Sequence, residues 1–138
     1  MDNIKEKLED LWDDIYTFMF MPFRDFYMDI KYFIQRGKRG YSDRDVWDFD
    51  YYIATVLKDG IKDLRDNHCG YPANLTEEKW DNKLDEMIDG FKYYDRESEL
   101  MGGCDWDVDV YMKEEKKLRK KLDKSLKLLS KFFMNLWD

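Results

Sequence analysis

With 138 residues, a formal net charge of −7, 40% charged and 17% aromatic side chains and only two prolines, the chain has room for one core, and a single helical domain over 1–138 is expected. So much aromatic mass excludes a disordered chain, and the acidic balance excludes direct duplex DNA binding by the whole domain. Few Gly and Pro beside abundant Glu, Lys, Leu and Met point to an all-α fold, a compact bundle of about five helices.

The first helix is expected from about Asn3 to Phe20, with Ile4, Leu8, Leu11, Ile15 and Phe18 at steps of three and four and Trp12 and Met19 widening the stripe. Pro22 stops or kinks it and opens a second helix, which Phe23, Phe26, Tyr27, Ile30, Phe33 and Ile34 carry to a stop at Gly37. After the loop Arg36–Tyr41, Ser42 reads as the N-cap of a third helix whose buried face is Val46, Phe49, Ile53, Val56, Leu57, Ile61 and Leu64. Gly60 inside that pattern costs about 1 kcal/mol against Ala unless close packing needs it. A loop with Gly70 and Pro72 leads to Thr76, the cap of a fourth helix bearing Trp80, Leu84, Met87, Ile88 and Phe91. Residues 96–105 are the least regular, broken at Gly102-Gly103, and the fifth helix spans about 108–137.

No stretch reaches the roughly 20 apolar residues of a membrane span, and the N-terminus is acidic, so no secretory signal or membrane span is expected. Two cysteines, Cys69 and Cys104, give no disulfide framework, which leaves a reducing cytoplasm as the expected location.

The loop before the third helix is the most distinctive candidate site. Arg36, Lys38, Arg39 and Arg44 surround two glycines and an expected helix N-terminus, where free backbone N–H groups favour an anion. Tyr41 and Trp47 supply stacking faces, so a phosphate-bearing small ligand is one expectation here, and pairing of these cations with neighbouring acids is the other. The acids Asp43, Asp45, Asp48 and Asp50 spread around a helix axis and read as a solvated face. The run from Asp105 to Asp109 fails as a calcium loop, because Val110 stands where the turn needs Gly and Lys116 where a bidentate Glu belongs. With His68 the only histidine, neither a His-based metal cluster nor a Cys–His nucleophile with Cys69 or Cys104 is expected. No Walker loop, dinucleotide fingerprint, HExxH pair or serine elbow occurs. No metal, cofactor or catalytic residue is assigned, and a non-enzyme is expected.

Charge is uneven: residues 113–138 hold nine Lys/Arg against four Asp/Glu, whereas the first 112 hold fifteen against twenty-seven. The basic fifth helix carries an apolar line of Leu118, Leu122, Leu129, Phe132 and Leu136, with Ser125 as its polar member. That line serves either as an interaction surface, including a homo-oligomer contact, or as the closure of the core with lysines facing the acidic body.

The stretch Arg39-Gly-Tyr-Ser-Asp-Arg-Asp-Val-Trp-Asp-Phe-Asp-Tyr-Tyr, continuing through Gly70-Tyr71-Pro72 and Leu75-Thr76-Glu77-Glu78-Lys79-Trp80 to Phe91, resembles small uncharacterised bacteriophage proteins. The resemblance covers roughly residues 39–91 and carries no established activity or catalytic residues. It implies a phage accessory protein in a bacterial host cytosol. The function expected is therefore a non-catalytic binding protein that engages and inhibits a host protein, with counter-defence as one use. Alternatives are a sponge that sequesters a nucleotide signal through the basic loop, an acidic DNA mimic, and a virion or replication accessory component.

Overall fold

The computed structural model describes residues 2–102 and 107–137, as α-helices and a terminal 3-10 turn, with no strand among the described residues. The chain falls into two compact units, residues 1–48 and 49–138.

The first unit is one long helix, α1 (Asp2–Arg39), followed by a turn. The two helices expected on either side of Pro22 are thus one, with the proline inside it. Proline loses one N–H and presses on the carbonyl four residues back, yet its φ is helical, so a kink can substitute for a break. Apolar residues on both sides fall on the same arc of the helix: Ile15 and Met19 before Pro22 are in phase with Phe23, Phe26 and Ile30 after it. Nor does α1 end at Gly37. Gly40 ends it, at φ +82°, donating its N–H to the Arg36 carbonyl at 2.9 Å. That is the left-handed cap that glycine adopts without steric cost.

Helix α2 (Phe49–Asn67) begins seven residues after Ser42, the expected cap. Its buried face is also rotated from the expected one. Ala54 and Ile61 are buried, with Leu57 and Leu64 packed against the core, whereas Val46 in the preceding turn and Phe49, Ile53 and Val56 are exposed. The small side chain of Ala54 adds little to an apolar stripe in the sequence, yet it is buried in the core.

Helix α3 (Glu77–Phe91) is the centre of the second unit and packs on both α2 and α5. Thr76 caps it as expected, accepting from the Lys79 N–H at 3.4 Å. Trp80, Leu84, Met87, Ile88 and Phe91 are all buried, the full expected stripe. Helix α4 (Tyr93–Met101) occupies much of the segment expected to be irregular and ends where the Gly102 N–H meets the Ser98 carbonyl at 3.0 Å. Its polar sequence hides its anchors, which are tyrosines. Tyr93 donates to Glu115 at 2.9 Å, Tyr94 donates to Asp50, and Tyr51 meets the Tyr94 ring edge-on at 5.7 Å. Burial and Glu115 together push the Tyr93 phenol up to about 12, so it remains a donor at neutral pH.

Helix α5 (Val108–Phe132) is capped by Asp107, which accepts from the N–H groups of Asp109 and Val110. Its apolar line closes the core of this unit. Phe132 is buried edge-on against Trp80 at 5.5 Å, and Leu122, Leu129 and Leu136 pack beside it. The α3–α5 crossing is very close at Gly90. Ser125 is buried there and donates to the Glu86 carbonyl at 2.9 Å. A β-carbon at position 90 would lie 2.0 Å from Ser125 Oγ and 2.6 Å from the Lys121 carbonyl.

Two glycine substitutions therefore move stability in opposite directions. Gly90→Ala must push α5 off α3 and is expected to cost about 3 kcal/mol. Gly60→Ala meets nothing within 4 Å and is expected to gain about 0.5–1 kcal/mol from helix propensity. Urea-denaturation midpoints of the two variants check both signs.

Candidate functional site

The turn that follows α1 is built by ion pairs. Asp45 is 7% exposed, and its carboxylate accepts from the Ser42 N–H at 2.7 Å and the Ser42 hydroxyl at 2.8 Å. The Asp45 N–H returns a 3.4 Å bond to Ser42 Oγ. This is the reciprocal arrangement of a capping box with Asp in place of Glu. It caps a run of turns over residues 43–48, not the α-helix expected to start there. Arg36 grips the same carboxylate with two N–H donors, the Nε bond being 2.8 Å. The resulting charge and hydrogen bonds hold the Asp45 carboxyl well below the usual aspartate range, against the opposing effect of burial.

Beside it, Asp43 pairs with Arg39 and with Gln35, whose amide donates at 2.7 Å while its carbonyl accepts from the Asp43 N–H at 2.8 Å. Arg39 also donates to the Tyr41 carbonyl at 2.9 Å and lies 4.6 Å over the Tyr41 ring. Of the candidate ligand-binding residues, Arg36, Arg39 and Tyr41 are thus held in the turn's own network, and Lys38 is exposed in the last turn of α1. Asp45 departs from the expected solvated acidic face, whereas Asp43, Asp48 and Asp50 are exposed, Asp50 also accepting from Tyr94.

Arg44 and Trp47 are placed differently. They project from the turn onto an open groove of about 760 Å³, lined also by Arg24, Asp25, Met28, Asp29, Tyr32 and Asp48. Trp47 is 89% exposed. The α1 contributors Arg24, Met28 and Tyr32 recur at steps of four, one strip of the helix. The strip is periodic in the sequence, but it lies on the polar side of α1, away from the apolar stripe.

The other candidates resolve as structure. His68 is enclosed, with Nε2 2.7 Å from Asp81 and Nδ1 3.0 Å from the Gly70 carbonyl, which ties the 68–75 loop to α3. Cys69 is exposed, while Cys104 and the Asp105-Trp106 start of the rejected calcium loop lie outside the described residues. Among the described residues no group of three His, Cys, Asp or Glu is placed to hold a metal, and no helix is long and apolar enough to cross a membrane. In the proposed interaction helix, Phe132 is buried, Leu122, Leu129 and Leu136 are committed to the core, and Leu118 is half-buried. Lys121 and Lys124 reach Asp89 and Glu86 of α3 at 2.9 and 3.3 Å.

The two turn carboxylates have depressed pKa values, so their contribution to folding is complete above the ordinary value of 3.8 and is lost as pH falls through the depressed one, about 2 for Asp43. Carboxyl NMR titration is expected to place the Asp43 midpoint near 2 and that of Asp45 no higher. A midpoint near 4 for either would mean that its ion pair is not formed in solution.

Comparison with family models, with curated proteins and with solved structures returned no match.

Proposed function

We propose that this chain is a non-catalytic binding protein of phage type that engages and restrains a host protein through the Arg44–Trp47 groove. The observation that carries this reading is the exposed Trp47 indole beside Tyr32, Arg24 and Arg44. Trp, Tyr and Arg are the residues that most often dominate protein–protein binding energy. An indole left in water contributes nothing to the fold and has most to gain from burial against a partner.

The lining chemistry favours a protein over a phosphate-bearing ligand. Three carboxylates, Asp25, Asp29 and Asp48, share the groove with two guanidinium groups, and their field opposes an anion. Of Arg39 and Arg44, the cations a nucleotide sponge would draw on, Arg39 is already engaged by Asp43, and Arg44 shares the groove with the three carboxylates. Alternating charge around an aromatic anchor suits a partner surface of mixed charge. The bacteriophage resemblance of residues 39–91, which includes Arg44 and Trp47, supports a host target and a cytoplasmic setting.

Trp47→Ala combined with Arg44→Ala is expected to leave the helical circular dichroism unchanged, because neither side chain is part of a core. Native mass spectrometry after incubation with bacterial extract is expected to show the wild-type chain holding a host protein. The double variant should lose at least about 100-fold in affinity for it. Retention of the same partner by the double variant would eliminate the groove as the binding site. A bound nucleotide mass in place of a protein would favour the sponge.

A further inference from the structure

Helix α5 carries a row of lysines that core packing does not explain. Lys113, Lys117, Lys120, Lys124, Lys127 and Lys131 recur at alternating steps of four and three, which sets them on one strip of the helix. All six are exposed, on the side of α5 opposite Leu122 and Leu129, which pack against the core. At about 1.5 Å per residue the row is about 27 Å long. Residues 116–131 hold eight bases against one acid, Asp123. Lys117 and Lys124 pair with Glu114 and Glu86 yet stay 58% and 64% exposed. Lys113, Lys120 and Lys127 meet no acid within ion-pair distance among the described residues. Like charges three and four residues apart weaken a helix, so the row destabilises the element that carries it. A local rule broken without structural compensation marks a binding role.

We propose that this row docks the chain on an anionic bilayer surface, with the ammonium groups on lipid phosphates. A row along one face of a helix is nearly straight, so its ammonium groups reach a flat sheet of charge together. Clusters of about four to eight Lys/Arg on one helix are attracted to anionic lipid. At the end of the row Phe133, Met134 and Trp137 are 63%, 83% and 66% exposed. Aromatic and apolar side chains of this kind settle at the headgroup boundary. Core packing keeps the apolar line of α5 inside the protein. Attachment is therefore electrostatic, with an apolar anchor at one end, and the helix itself does not insert.

Nucleic acid fits the row less well. Single strands are held by aromatic faces set among the cations, and residues 113–131 contain no aromatic residue. The phosphates of a duplex wind around its axis once in about 34 Å, so they leave a straight row of this length. The overall charge of −7 does not oppose docking at physiological salt. Charges more than about 8 Å apart are largely screened. With its side chains α5 is about 10 Å across, which separates the elements packed on its far side from the lipid. The row lies in the second unit and the Arg44–Trp47 groove in the first, so this inference does not rest on the host-binding reading.

The test is co-sedimentation of the full chain with vesicles of equal parts phosphatidylcholine and phosphatidylglycerol. Binding is expected to be at least about tenfold tighter than to vesicles of phosphatidylcholine alone. Lys120→Glu with Lys127→Glu is expected to weaken binding to the mixed vesicles at least about tenfold, with the helical circular dichroism unchanged. Lys62→Glu with Lys92→Glu makes the same change in net charge at exposed positions of α2 and the α3–α4 junction, and is expected to bind like the wild type. Absence of binding to the mixed vesicles, equal binding to both kinds, or an equal loss in the two variants would each overturn the proposal. So would an oligonucleotide that the wild type binds and the α5 variant loses while the vesicles go unbound.

Discussion

Where α3 crosses α5 there is no space for a β-carbon at position 90, and the rest of the second unit is arranged around that contact. The close approach lets Ser125 give its hydroxyl to the Glu86 carbonyl, so a buried polar group is satisfied at the point of tightest packing. On either side of it, Trp80, Leu84, Met87 and Phe91 are enclosed, with Phe132 set against the Trp80 ring. Helix α5 can then turn its lysines outward, and two of them, Lys121 and Lys124, reach back to acids of α3. Such half-exposed pairs add little stability compared with the apolar burial beneath them.

In the first unit the organising element is a charge, not an apolar core. Asp45 is buried only because Ser42 and Arg36 supply several donors to one carboxylate, and without them a buried aspartate would be strongly unfavourable. That requirement consumes the cations which make the loop look like an anion site. The local capping chemistry consumes the N–H groups that an anion would need. What the turn leaves to solvent is the next segment along, Arg44 and Trp47.

The sequence is most legible where a single helix is enclosed by its neighbours. The α3 stripe and its Thr76 cap can be read from spacing alone, because burial on several sides leaves periodicity as the only consistent solution. Legibility fails where the decisive partner is remote or small. Ala54 adds too little hydrophobicity to register, α4 is anchored by Tyr93 and Tyr94 through acids 22 and 44 residues away, and Gly90 shows its purpose only beside Ser125. Pro22 misleads for another reason: local propensity marks a stop, but the apolar phase continues across it. In the candidate site, Trp47 and Arg44 were identifiable from residue type. Their α1 counterparts, Arg24 and Tyr32, stand out only as a periodic strip on the polar side of the helix, since nothing local says that the chain turns back alongside α1.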